Sequence, residues 1–118
     1  MTTKQDALPK PPAHLSRESA DWWRLVVSDF VLHAHHLKLL TLAAETWDRL
    51  TQARERIAKD GPFAVNRFGE LRPHPALAVE RDARQGFCRI LRELGLDLAP
   101  DPDHSQPPPP ARTGRKVW

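Results

Sequence analysis

The distribution of proline constrains the fold of this chain more than any other feature of its sequence. Nine of the 12 prolines lie outside residues 14–99, in two segments at the ends of the chain. Proline disrupts helix interiors, and runs of proline favour the extended polyproline II conformation. We therefore expect a flexible leader over residues 1–13, a folded core over residues 14–99 and a flexible, proline-rich basic tail over residues 100–118.

Two helices are predicted in the first half of the core. The first begins at Ser16, a favourable N-cap residue, and ends near Val31. The second is a long central helix from about His35 to Asp60, and the following Gly61–Pro62 is a strong stop signal. Apolar residues recur three and four positions apart in both segments, as expected of helices that bury one face.

The spacing of the apolar residues changes between residues 61 and 75. The new pattern predicts a short β-hairpin with Arg67 and Gly69 at its tip. A third helix is expected after His74–Pro75, because proline is favoured in the first helical turn, and Gly95 should end it. The predicted fold class is therefore mainly α, with three helices and a short hairpin between helices 2 and 3. The apolar residues assigned to the hairpin are Phe63, Val65, Phe68 and Leu71.

The length of the second helix predicts self-association. A helix of about 26 residues is about 39 Å long, and two shorter helices are expected to leave part of its apolar stripe uncovered. Exposed apolar stripes of that size usually contact another chain. The sequence therefore predicts a homo-oligomer.

Composition excludes several classes of protein. No apolar run is long enough to span a membrane, and the first residues lack the apolar stretch of a secretory signal. The single cysteine, Cys88, excludes a disulfide framework and a zinc site built from cysteine alone. With 18 Lys and Arg against 15 Asp and Glu, the net charge of +3 permits a nucleic-acid partner without requiring one.

His33, His35 and His36 form the cluster that most suggests a metal site. They lack the i, i+4 spacing that places two ligands on one helix face, so a corner between helices is the favoured interpretation. Cys88 follows the core residue Phe87 and is interpreted as a small buried hydrophobe. The chain has neither a glycine-rich phosphate loop nor a G-x-S-x-G motif. We predict no catalytic residue, no metal site, no cofactor and no enzymatic activity.

Basic residues give a clearer signal for a partner. Three of them, Lys38, Arg49 and Arg56, share one face of the second helix, and Lys59 lies just off it. Spaced cations of this kind bind phosphate backbones without reading sequence. Glu45 lies on the same face and dilutes its charge, so an ordinary solvated surface is the alternative. In a ring the face would repeat around an axis and become a continuous positive surface. The predicted DNA-binding residues are Lys38, Arg49, Arg56, Lys59 and, at the hairpin tip, Arg67.

The tail ends in a short basic segment with a terminal aromatic residue. A proline-rich stretch cannot bury a tryptophan locally, and a basic segment that ends in an aromatic resembles a short docking motif. A disordered end without a function is the alternative that the sequence leaves open. The predicted partner-docking residues are Arg112, Arg115, Lys116 and Trp118.

Several segments occur in an order that carries a family resemblance. The most specific is GELRPHPA at residues 69–76, between the hairpin and the last helix, followed by LGL at residues 94–96. Together with Trp22–Trp23 in the first helix, they resemble the small subunit of phage terminase, in the P27-like family, over roughly residues 13–100. The chain departs from the family pattern at His35 and His36, where an acidic residue is common. It departs again at residues 97–100, where threonine–proline is usual.

The resemblance implies a non-enzymatic component of a phage DNA-packaging motor in the host cytoplasm. Such proteins form rings, bind viral DNA, and recruit and regulate the large subunit, which carries the ATPase and the nuclease. The expected partners are double-stranded viral DNA, the terminase large subunit and further copies of this chain in a ring of more than four subunits. Two other classes stay open: a standalone helical DNA-binding regulator, and a small metal-dependent nuclease built on the histidines.

Overall fold

The computed structural model describes residues 8–96 and has three helices and one hairpin. The elements in chain order are α1 (Arg17–Asp29), α2 (Ala34–Asp60), β1 (Phe63–Val65), β2 (Leu71–Pro73) and α3 (Pro75–Leu94). The predicted fold class is confirmed. The helix boundaries differ from the predicted ones by one or two residues, because α1 already ends at Asp29, where Phe30 adopts an extended conformation.

Local signals set the ends of the helices. Ser16 caps α1, and its Oγ accepts a hydrogen bond from the backbone N–H of Ser19 at 3.1 Å. Gly61 ends α2 with a φ of 84°, a region that favours glycine, and its N–H donates to the carbonyl of Ile57. Gly95 ends α3 in the left-handed conformation with a φ of 76°. The helices α2 and α3 therefore end where the sequence predicts, whereas α1 ends two residues earlier than expected.

The three helices pack as an α2–α3 pair with α1 against the first half of α2. Arg54 of α2 donates to Glu80 of α3 at 3.3 Å, and Asp60 contacts His74, so the two helices run antiparallel. The ring of Phe87 lies between Trp22 of α1, at 5.7 Å, and Trp47 of α2, at 5.2 Å, both measured between ring centroids. The buried core cluster consists of Leu15, Trp23, Val26, Val27, Leu40, Ala44 and Leu94.

This packing corrects two expectations about burial. The apolar stripe of α2 is covered within the single chain, since Leu40, Ala43 and Leu50 are buried against α1 and α3. Trp47 and Ile57, two further positions of the stripe, remain partly exposed. Cys88 was expected to be buried and is exposed, because it lies on the outer side of α3 while its neighbour Phe87 faces the other helices.

The hairpin projects from the end of the α2–α3 pair. Its antiparallel strands pair Phe63 with Pro73 and Val65 with Leu71, so these four side chains share one side of the sheet, which we call the hairpin face. Asn66 orders the turn, because its Oδ1 accepts hydrogen bonds from the N–H groups of Phe68, at 2.8 Å, and Glu70, at 3.0 Å. Gly69 has a φ of 78°, the left-handed conformation that this turn requires.

His74 joins the end of α2 to the start of α3. Its Nδ1 accepts from the N–H of Ala76 at 2.9 Å, which caps α3, and its Nε2 lies 2.9 Å from Oδ2 of Asp60. An Nδ1 that accepts a hydrogen bond leaves Nε2 as the donor, so His74 donates to the carboxylate of Asp60. The hydrogen bonds from His74 and Arg56 hold the pKa of Asp60 below its ordinary value. The GELRPHPA segment thus has a structural role at this junction.

Candidate nucleic-acid interface

The basic face of α2 is exposed along much of the helix. Lys38, Arg49 and Arg56 lie on one side, and Lys38 and Arg56 are separated by about 27 Å of helix. Lys38 and Arg49 form no ion pair with any residue in the range 8–96. Arg56 donates to Asp60 at 2.7 Å, so its charge is partly balanced. The spacing suits a phosphate backbone, which cations contact without base recognition.

Two more of the predicted residues lie at the hairpin end of the molecule. Lys59 is exposed in the last turn of α2, and Arg67 is exposed in the hairpin turn. The guanidinium carbon of Arg67 lies 4.9 Å from the centroid of the Phe68 ring, a cation–π distance. The fold therefore gathers Arg56, Lys59 and Arg67 at one end and places Lys38 near the other.

Glu45 reduces the positive charge of the basic face less than its position in the sequence suggests. Its Oε2 lies 2.7 Å from Nε2 of His14, in the segment before α1. Asp48, one turn further along, accepts hydrogen bonds from Ser16 and Ser19 of α1. Both carboxylates are therefore directed towards other parts of the chain, and Arg49 has no acidic partner within residues 8–96.

A second basic face on α3 was missed in the sequence analysis. Arg81, Arg84 and Arg92 recur at helical spacing around Cys88 on the solvent side of α3, and Arg89 flanks them. Only Arg81 among them pairs with an acid within the described chain, at 3.2 Å from Asp82. The spacing of these arginines is visible in the sequence, on the side of α3 opposite its apolar stripe.

The three histidines meet at the corner between α1 and α2. The ring centroids of His35 and His36 are 4.0 Å apart, and those of His33 and His36 are 5.8 Å apart. Burial lowers the pKa of His36, and the positive charges of His35 and His33 lower it further. Between residues 8 and 96 no group of three or more His, Cys, Asp or Glu is arranged to hold a metal ion.

The predicted docking residues lie beyond the part of the chain that the structure describes. Arg112, Arg115, Lys116 and Trp118 all fall in the range 97–118. Within residues 8–96, none of the helices combines the length and the apolar character needed to cross a membrane.

Comparison with known proteins identifies the family. The family model for the small subunit of phage terminase matches residues 20–101, which includes all of α2, the hairpin and α3 and most of α1. No curated protein and no solved structure gives a significant match. The matched range covers well over half of the sequence and contains both basic faces. The chain therefore belongs to the phage terminase small subunit family.

Proposed function

We propose that this chain is the ring-forming small subunit of a phage DNA-packaging motor, which binds double-stranded viral DNA and recruits and regulates the large ATPase–nuclease subunit in the host cytoplasm. The family match over residues 20–101 carries the proposal, since it supports a role in phage genome packaging. We assign no catalytic residue to the chain, because its family is generally non-catalytic.

The distribution of charge supports DNA as the ligand. The α2 face contributes Lys38, Arg49 and Lys59, none of which is paired with an acid inside residues 8–96. A few unpaired cations on one chain bind a duplex weakly, but repetition around a ring multiplies the number of phosphate contacts. The expected binding is therefore sequence-independent and strongly dependent on salt.

A salt titration of duplex binding tests the α2 face. The test variant carries Lys38→Ala and Lys59→Ala, because both residues lie away from the sides of α2 that contact α1 and α3. Each phosphate contact that is lost should reduce the slope of log affinity against log salt concentration by about 0.9. The measurement is fluorescence anisotropy of a labelled duplex over a range of salt concentrations.

Two comparison variants make this test selective. Lys10→Ala with Arg17→Ala removes two exposed charges outside α2 and should leave the slope unchanged. Arg84→Ala with Arg92→Ala tests the α3 face in the same way. A reduced slope for the α3 variant alone would move the DNA-binding surface to α3, and an unchanged slope for both would count against DNA binding by either helix.

The mass of the native particle separates the proposed packaging subunit from a standalone regulator. A ring of more than four subunits should have more than four times the chain mass of 13.4 kDa by light scattering, with or without DNA. A monodisperse monomer or dimer at micromolar concentration would instead favour a helical DNA-binding regulator.

A further inference from the structure

The turn of the hairpin holds an aromatic side chain in the solvent. Phe68 is 71% exposed, yet hydrogen bonds fix the backbone on both sides of it. Oδ1 of Asn66 accepts from the N–H of Phe68 at 2.8 Å, and the carbonyl of Asn66 accepts from the N–H of Gly69 at 3.0 Å. A side chain on an ordered backbone needs little further ordering when it inserts into a partner. The hairpin thus presents Phe68 in a position that is fixed before binding.

The charge beside Phe68 is positive and is not balanced within the described chain. The guanidinium carbon of Arg67 lies over the Phe68 ring, 4.9 Å from its centroid, and Arg67 has no acidic partner among residues 8–96. Glu70 is the only acidic residue in the sequence from Gly61 to His74. Its carboxylate already accepts from Asn66 at 3.3 Å and from Arg72 at 3.5 Å. The charge that remains at the tip therefore favours an anionic partner.

The end of α2 beside the hairpin adds to this positive charge. Lys59 is exposed there and has no acidic partner in the range that the structure describes. Asp60 is paired with Arg56 at 2.7 Å, so Glu55 is the one carboxylate of the last two turns of α2 that forms no ion pair within residues 8–96. Unpaired cations, Lys59 and Arg67, therefore outnumber the unpaired acid in this part of the molecule.

The sides of the hairpin are apolar as well as its tip. Phe63 is 55% exposed, and Val65 and Leu71 are each 67% exposed, on the hairpin face. The strands make their extensive contacts with each other and not with the helices, so the hairpin stands clear as a ribbon of two strands. The walls of the minor groove of DNA are deoxyribose rings, which offer an apolar surface, and its rims are phosphates. A ribbon with apolar sides and with cations at its tip and base matches both.

Proteins that bind the minor groove commonly combine cations with an apolar wedge. Arginine and lysine contact the groove, and a side chain such as that of phenylalanine enters between two base pairs and partly unstacks them. The hairpin has this combination in consecutive residues, Arg67 and Phe68. Duplex DNA is also the anionic polymer that a role in phage genome packaging provides.

We propose that the tip of the hairpin enters the minor groove of duplex DNA, where Phe68 inserts between two base pairs and Arg67 contacts the groove beside it. Insertion of one side chain opens a base step and kinks the duplex by about 20–90° towards the major groove. The inference rests on the proposed binding of viral DNA and adds to it a kink at the inserted step.

Energy transfer between dyes at the two ends of a duplex of about 30 base pairs measures the kink. Saturating full-length wild type should bring the ends closer and raise the transfer efficiency. Phe68→Ala should bind the same duplex without raising it, and the dependence of affinity on salt should be unchanged because no cation is removed. Phe68→Leu should keep the kink, since leucine also serves as a wedge. Leu25→Ala is the matched control, because it shortens an exposed apolar side chain on α1 and should leave the kink intact.

A duplex with a central mismatch gives a second test. A mismatch removes part of the cost of unstacking, so the wild type should bind this duplex about tenfold more tightly than the fully paired one. Phe68→Ala should bind the two duplexes equally. Fluorescence anisotropy at one salt concentration gives the four affinities, and circular dichroism checks that the variant retains its helix content. Equal affinity of the wild type for the two duplexes would contradict insertion.

The outcomes of these experiments separate this inference from the proposed function. A wild type that does not bind duplex DNA would overturn both. A wild type that binds without raising the energy transfer, or Phe68→Ala that raises it as much as the wild type, would overturn the inference and leave DNA binding in place. A smaller particle mass for Phe68→Ala than for the wild type by light scattering would assign the tip to a contact between subunits and would also overturn the inference.

Discussion

Asp48 shows how a single side chain fixes the position of α1 on α2. Its carboxylate accepts hydrogen bonds from the N–H of Ser16 at 2.8 Å, from Oγ of Ser16 at 2.5 Å and from Oγ of Ser19 at 2.6 Å. Burial alone would raise the pKa of Asp48, but these hydrogen bonds outweigh it and hold the pKa below its ordinary value of 3.8. The carboxylate is therefore charged at neutral pH and strengthens the N-terminal cap of α1.

Replacement of Asp48 by asparagine should destabilise the fold. The amide offers one oxygen and no charge to three donors, and Ser19 is almost fully buried, so we expect the free energy of unfolding to fall by about 1–3 kcal/mol. Urea denaturation followed by circular dichroism measures this change. Glu55→Gln is the matched control, since it neutralises an exposed carboxylate on the same helix and should change stability by less than about 0.5 kcal/mol. Equal stability of the two variants would show that the Asp48 contacts contribute nothing.

At the scale of an element, the first turn of α2 is sensitive to pH. His36 is buried, and its Nδ1 accepts a hydrogen bond from the N–H of His33 at 3.2 Å. Its pKa is lowered from 6.5 by burial and by the charges of His35 and His33. The unfolded chain therefore binds a proton at His36 more readily than the folded chain. The contribution to stability is complete above pH 6.5 and is lost progressively as the pH falls towards the lowered pKa.

Comparison of the wild type with His36→Asn tests this pH dependence. The asparagine oxygen can still accept from His33, but it does not titrate, so the variant should lose less stability than the wild type as the pH falls below 6.5. His35→Asn should lie between the two, because it removes one positive neighbour and leaves the larger effect of burial. Urea denaturation at a series of pH values gives the three profiles. Parallel profiles for the wild type and His36→Asn would exclude His36 as the source.

At the scale of the whole molecule, the antiparallel packing of α3 on α2 places the hairpin and the C-terminus of α3 at opposite ends. Because α3 runs antiparallel to α2, its C-terminus at Leu94 packs in the core with α1, at the end remote from the hairpin. Leu96, the last residue that the structure describes, therefore lies at that remote end.

Deletion of residues 107–118 should leave the fold and the assembly unchanged and weaken recruitment of the large subunit. The deletion removes the four predicted docking residues and leaves the whole of the range 8–96 in place. Co-purification with the large subunit and stimulation of its ATPase are the measurements. The full-length variant with alanine at positions 112, 115, 116 and 118 distinguishes loss of the motif from loss of the spacer. Undiminished recruitment would assign docking to the folded body, and a broken ring would place the tail in the assembly interface.

The positions of the helices and strands follow from local sequence signals, whereas the contacts that their surfaces make depend on tertiary packing. Ser16, Gly61 and Gly95 act on backbone groups within one turn, so the helix ends could be located from the sequence. The exposure of the four basic residues of α2 predicted to bind DNA does not follow from local sequence. It depends on which side of α2 packs against α1 and α3, as does the contact between Glu45 and His14.

The burial of apolar residues likewise depends on tertiary packing and not on local sequence alone. Helical periodicity identified Leu40, Ala43 and Leu50 as apolar positions, but only the packed structure shows that α1 and α3 bury them. It also shows that the large exposed apolar residues lie instead on the hairpin and at Leu25, Val31, Leu42 and Val79. Periodicity records which residues share one side of an element, whereas burial depends on the remainder of the chain and on the geometry with which the helices meet.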